Sequence, residues 1–121
     1  MIEASCHCGA VRMEIAASPE SLTSCNCSIC HKLGTLWAYY TVDQVKFLTP
    51  PEATATYSWG DKELAFHHCR NCGCTTHWSG IDPAAQRSQR MGVNSRLMPR
   101  AVTADVPIRK LDGADTWTVL E

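Results

Sequence analysis

The stretch Ser24-Cys25-Asn26-Cys27-Ser28-Ile29-Cys30-His31 sets the tightest limit on what this chain can fold into. It places three thiols in the pattern C-x-C-x-x-C. A cysteine pair precedes it, Cys6-His7-Cys8-Gly9, and another follows, Cys69-Arg70-Asn71-Cys72-Gly73. C-x-C and C-x-x-C are the spacings of metal ligands. The chain holds 8 cysteines, so a framework of disulfides is the rival reading. The N-terminus, Met1-Ile2-Glu3-Ala4-Ser5, lacks a basic region followed by an apolar run. No stretch nears the roughly 18 apolar residues of a membrane span. The expected location is therefore cytoplasmic, where thiols stay reduced, and that favours metal over disulfides. A redox C-x-x-C would need a βαβ pattern, which the sequence does not show.

Glycines sort the thiols into two kinds. Cys6 and Cys8 are followed by Gly9, and Cys69 and Cys72 by Gly73. Glycine in the left-handed conformation lets backbone N–H groups point at a thiolate. The two pairs match and supply four sulfurs, the closed tetrahedral set of a structural zinc. Such a zinc would clamp the N-terminus to the middle of the chain. Binding of that kind contributes on the order of 10 kcal/mol or more to folding.

Cys25, Cys27 and Cys30 have polar neighbours and no following glycine. Three protein ligands with one vacancy form the pattern of a catalytic zinc, where a thiol or water can be bound and deprotonated. Two alternatives compete with it. His31 or Cys74 could close the set and make it structural, or the triplet could hold no metal in the isolated protein. Cys74 is either a spare ligand or a small apolar side chain.

With 121 residues, one domain over 1–121 is expected. Net charge is -1 and charged residues make up 19% of the chain. That excludes a broad electrostatic grip on nucleic acid or an anionic membrane. Val11–Ile15, Thr35–Val42, Val45–Thr49, Ala55–Trp59, Glu63–His68, Thr75–Trp78 and Arg90–Asn94 alternate or are rich in β-formers, and read as strands. Turns are expected at 43–44 and 60–62, loops at 50–52 and 79–89, and a helical turn over 32–34 ending at Gly34. Another helical turn is expected within 97–104. Val106–Leu111 reads as an edge strand because Pro107 cannot donate to a central ladder. The tail from Asp112 is expected to pack loosely. The fold class expected is mainly β, built of short antiparallel strands with little helix.

Four segments resemble a known family. Ser-Cys-His-Cys-Gly-Ala-Val (5–11), Cys-Asn-Cys-Ser-Ile-Cys-His (25–31), Cys-Arg-Asn-Cys-Gly (69–73) and Gly-Val-Asn-Ser-Arg (92–96) stand in the order and at the intervals of the glutathione-dependent formaldehyde-activating enzymes. Centromere protein V is similar to the same family. The resemblance implies a zinc-stabilised β-tent, with a structural zinc at Cys6, Cys8, Cys69 and Cys72 and a catalytic zinc at Cys25, Cys27 and Cys30. It also implies a carbon–sulfur lyase that condenses glutathione with formaldehyde to S-(hydroxymethyl)glutathione. Cys74 departs from the family pattern, where serine, threonine or an apolar residue is more usual.

The partners implied are a small thiol such as glutathione and a small aldehyde, with no nucleic acid and no membrane. The protein is expected as a monomer or homodimer. A proton must move in such a reaction, and His31, or else His77, stands nearest in the sequence for that work. Arg90, Arg96 and Arg100 lie close in sequence and suit carboxylates, since guanidinium matches their geometry. Asn94 and Arg96 belong to the family's Gly-Val-Asn-x-Arg motif and are the substrate-binding candidates. Trp37, Tyr39, Trp59 and Trp78 could wall a pocket or fill the core. The rival function is a zinc-stabilised binding module without catalysis.

Overall fold

The computed structural model describes residues 1–59, 63–82 and 89–120. Among them the architecture is mainly β, as expected, with two short helices. The strands β1 (Ile2–Ser5), β2 (Arg12–Ile15) and β5 (Val45–Phe47) form an antiparallel sheet in the order β1-β2-β5. The other sheet has eight strands. It contains β3 (Leu22–Cys25), β4 (Trp37–Thr41), β6 (Thr54–Tyr57), β7 (Leu64–Cys69), β8 (Thr75–Gly80), β9 (Arg90–Asn94), β10 (Ile108–Leu111) and β11 (Val119–Leu120). Its order is β11-β10-β3-β4-β9-β8-β7-β6.

Residues paired across a ladder share a face, so the register divides the large sheet in two. One face carries Ala38, paired with Val93, and Tyr40, paired with Met91. These pack with Leu22 against Ala4, Met13, Ile15 and Val45 of the small sheet, and this is the main core. The alternation read in Val11–Ile15 is the cause: Met13 and Ile15 are fully buried, while Arg12 is exposed. The opposite face carries Thr23, Trp37, Tyr39, Gly92, Trp78 and Phe66, linked by the pairs Thr23–Trp37, Tyr39–Gly92, Trp78–Gly92 and Phe66–Trp78. Gly92 has no side chain because the Trp78 indole lies on it. A Cβ there would come within 2.0 Å of Trp78 Nε1.

Three expectations need correction. The helix after the triplet, α1, runs Ser28–Leu33 and begins inside the cysteine motif rather than at residue 32. Gly34 ends it in the left-handed region at φ 68. The C-terminal strand is not an edge and not antiparallel to its main neighbour. β10 lies parallel to β3 and is flanked on its other side by β11, formed from the tail. Pro107 precedes the strand, so no ladder donor is lost, and its carbonyl accepts from Leu22 N–H at 2.9 Å. The tail is therefore part of the sheet. A second helix, α2, covers Arg100–Thr103, inside the expected window. The turn expected at 60–62 and residues 83–88 of the loop expected at 79–89 lie outside the described residues.

His77 pairs with Val93 and so lies on the core face, 5% exposed. Its ring stacks on His67 at 4.0 Å and meets Phe47 at 4.7 Å. Burial, with the neighbouring His67 second, holds its pKa down to about 3 from an ordinary 6.5. The imidazole folds neutral, whereas the unfolded chain takes up a proton below 6.5. Stability is therefore lost as pH falls from 6.5 toward 3. Replacing His77→Phe removes that contribution. The expected result is a shallower decline of urea-unfolding stability between pH 6.5 and pH 4 than in the natural protein. Parallel declines would contradict it.

Candidate metal centres

Four thiols converge where the β1–β2 turn meets the β7–β8 turn. The sulfurs of Cys6, Cys8, Cys69 and Cys72 all lie within 4.8 Å of one another. Cys6 and Cys8 are 3.7 Å apart, and Cys8 and Cys69 are 3.6 Å apart. A tetrahedron with Zn–S bonds of about 2.3 Å has edges of about 3.8 Å, so this donor set fits zinc. The two turns are built alike. Gly9 and Gly73 take φ 82 and φ 81, the left-handed region expected of them. Gly9 N–H donates to the Cys6 carbonyl and Gly73 N–H to the Cys69 carbonyl. Val11 N–H points at Cys6 Sγ, and the N–H groups of Asn71 and Cys72 point at Cys69 Sγ, at 3.3 to 3.4 Å.

These thiols do not ionise alike. Burial pushes Cys6 up to about 11. The backbone N–H groups of Cys74 and Cys8 pull Cys72 down to about 5. A cation binding all four sulfurs must displace the proton from Cys6, so binding weakens as pH falls. Cys74 joins neither cysteine cluster among the described residues. It is half-buried against the main core, and its carbonyl accepts from Cys69 N–H at 2.9 Å, which closes the turn.

The second cluster holds three sulfurs, those of Cys25, Cys27 and Cys30, again within 4.8 Å. Cys25 ends β3, Cys27 caps the N-terminus of α1 and Cys30 lies within that helix. Cys25 and Cys30 are buried, and burial raises both thiols. Trp37 Nε1–H donates to Cys30 Sγ at 3.2 Å. His31 is exposed in the last turn of α1 and is not a member of the cluster. The three sulfurs of this cluster could hold zinc.

The C-terminal loop covers one side of this cluster. Asn26 fastens it three times: Nδ2 donates to Asp112 Oδ1 at 2.9 Å, Oδ1 accepts from Ala114 N–H at 3.0 Å, and Asn26 N–H donates to the Leu111 carbonyl at 3.1 Å. Gly113 then rests on the sulfur. A Cβ at this position would come within 2.4 Å of Cys25 Sγ. Trp117 sits in the left-handed region at φ 58, its ring edge 3.3 Å from the same point. Sequence reasoning missed Gly113 and the loop, because their contact with Cys25 depends on the parallel pairing of β10 with β3.

The other candidates divide. Trp37, Tyr39 and Trp78 share the face that bears the triplet, with Phe66 beside them. Trp37 is 1% exposed and is core, whereas Tyr39 and Trp78 are half-buried. Trp59 is exposed. His77 lies on the opposite face. Asn94 is buried, donates to the Thr75 carbonyl at 2.8 Å and accepts from Arg96 N–H, which caps the 3-10 turn Ser95–Leu97. Of the three arginines, Arg90 and Arg96 stand at opposite ends of β9. Arg90 starts β9, Arg96 follows its other end and Arg100 starts α2. Arg90 instead shares a cleft with Arg109, which the sequence did not single out.

A profile describing the glutathione-dependent formaldehyde-activating enzymes matches residues 1–106. The chain belongs to that family. A crystal structure of a Rhodobacter sphaeroides protein superposes with a TM-score of 0.71 at 26% identity, covering 88% of this chain and 99% of that one. The family match stops before β10, so Arg109 and the loop over the triplet lie beyond it.

Two substitutions separate the clusters. Cys69→Ser removes the sulfur at which two backbone amides point. It is expected to cost several kcal/mol of stability and to abolish the cooperative thermal transition, read by circular dichroism. An unchanged melting temperature would contradict the clamp. Gly113→Ala is expected to weaken metal binding at the triplet by about tenfold or more, as loss of outer support does, while the four-sulfur cluster keeps its metal. Competition with a chromogenic chelator reads both.

Proposed function

We propose that this protein joins a small thiol to a small aldehyde, as in the formation of S-(hydroxymethyl)glutathione from glutathione and formaldehyde, and acts as a carbon–sulfur lyase in the reverse direction. The observation that carries the reading is the inequality of the two clusters. One has four sulfurs, and the other has three beside a face of aromatic side chains. Zinc held at the triplet would keep a bound thiol deprotonated and polarise a carbonyl.

The chain's own residues supply the rest. Cys25, Cys27 and Cys30 would hold the metal, and the Trp37 N–H orients Cys30. Tyr39, Trp78 and Phe66 exclude water from one side. In the reaction the thiol sulfur forms a bond to the carbonyl carbon, and the thiol proton passes to the carbonyl oxygen. His31, exposed beside Cys30 in the chain, is the proposed carrier of that proton. Asn94 is proposed to act through Arg96, whose backbone it holds, and Arg96 to contact the substrate.

The test is exchange NMR of glutathione with formaldehyde, with and without the zinc-loaded protein. Acceleration by the natural protein is expected. Loss by Cys27→Ser should exceed the ~100-fold that removal of an outer partner costs. Equal exchange with and without protein would instead favour a zinc-stabilised binding module.

A further inference from the structure

A cleft of about 300 Å³ opens between α1 and the strands β6 and β7. Ile29 and Leu33 wall it on the helix side and Tyr57 and Phe66 on the sheet side, and His68 and Thr75 also line it. The helix accounts for one wall. Leu33 stands four residues on from Ile29, so both leave the same side of α1. The register accounts for the other. Phe66 pairs with Tyr57 on one flank and with Trp78 on the other, so the wall continues the face that bears the triplet.

The cleft shares side chains with the surroundings of the three thiols. Ile29 and Phe66 belong to the packed cluster that contains Cys25, Cys27, Cys30 and Trp37. The Phe66 ring centre lies 6.3 Å from that of Trp37, whose indole N–H donates to Cys30 Sγ at 3.2 Å. One aromatic ring therefore stands between the cleft wall and a sulfur of the triplet. The outer end is apolar as well. Leu33 and Tyr57 are 38% and 54% exposed, which leaves apolar surface open to water at the rim.

No Asp, Glu, Lys or Arg stands among the described residues that line this cleft. A carboxylate or ammonium entering it would lose hydration and meet no counter-charge. An alkyl or aryl group would be favoured in proportion to the area it buries. A dry cavity of about 150 Å³ takes up benzene, so the cleft has room for six carbons or more, well beyond what a one-carbon aldehyde fills.

We propose that this cleft takes the apolar group of the carbonyl substrate, an aliphatic or aromatic aldehyde of about five to eight carbons, with its carbonyl toward the triplet. The inference rests on the proposed function and gives its aldehyde a class. The bonds are those of that reaction: the thiol sulfur joins the carbonyl carbon, and the thiol proton passes to the carbonyl oxygen.

The test uses straight-chain primary alcohols, which copy the chain and have no carbonyl to react. They are titrated into the zinc-loaded full chain and followed by amide chemical shifts. From 1-propanol to 1-hexanol, affinity is expected to rise about fourfold per added carbon, the gain for a buried CH₂. The shifts should cluster at Ile29, Leu33 and Phe66. Leu33→Glu sets a carboxylate on the rim and should weaken 1-hexanol binding at least about tenfold. Tyr57→Ser, on the opposite wall, should weaken it too. Both positions are exposed, and an unchanged thermal transition verifies that each variant keeps the fold. The rate with hexanal relative to formaldehyde, each paired with glutathione, should fall in Leu33→Glu. Affinity independent of chain length, shifts centred elsewhere, or equal 1-hexanol binding by the natural protein and both variants would overturn the proposal. Formaldehyde has no chain and so judges the proposed function separately. Its acceleration by the natural protein alongside any of those results would strike the cleft and leave the reaction standing. Chain-dependent binding with neither aldehyde accelerated would strike the reaction, and the role given to the cleft with it.

Discussion

Four sulfurs meet at the junction of the two sheets, where a metal would tie them together. Cys6 and Cys8 belong to the turn of the small sheet, Cys69 and Cys72 to a turn of the large one. A core of Met13, Ile15, Val45, Met91 and Val93 lies between the sheets, but the strands of the small sheet are only three or four residues long. Short strands bury little apolar area, and a small domain stabilised that way gains from a cross-link. A metal held by the four sulfurs would supply one. The backbone amides of Val11, Asn71 and Cys72 are aimed at the sulfurs by the fold of the turns, so each turn is arranged around its thiolates.

The large sheet then serves two purposes with its two faces. Alternation along β4 and β9 sends Ala38, Tyr40, Met91 and Val93 into the core and Trp37, Tyr39 and Gly92 to the other side. On that other side the strand β3 delivers Cys25, and α1 delivers Cys30 to the same point. The parallel strand β10 closes the arrangement, placing Arg109 along the face and Gly113 against Cys25. The three-thiol cluster, its aromatic surroundings and the two arginines near them are thus consequences of one register.

Local chemistry was legible in the sequence and long-range pairing was not. Gly9 and Gly73 signal the knuckles because only their conformation lets amides face a thiolate, and their φ values bear this out. The strand at Val11–Ile15 follows from alternation alone. The start of α1 is not legible in the sequence, since Asn26, Cys27 and Ser28 look like loop residues. Cys27 is the N-cap residue without a side-chain cap bond, and the first turn closes where His31 N–H reaches the Cys27 carbonyl. The placing of β10 beside β3 has no local signature, because parallel neighbours need no turn between them. Sequence proximity likewise misleads for Arg90 and Arg96, because the strand β9 between them sets them at its two ends.

The proposed function requires two sulfur sets that hold metal unequally, one closed by four thiolates and one with three. Native mass spectrometry of the zinc-loaded, reduced protein during titration with a chelator measures this directly. Two bound zinc ions released in separate steps are expected, the first step leaving a folded protein with one zinc. Zinc lost in a single step with unfolding, or thiols found bridged to one another with no metal bound, would contradict it.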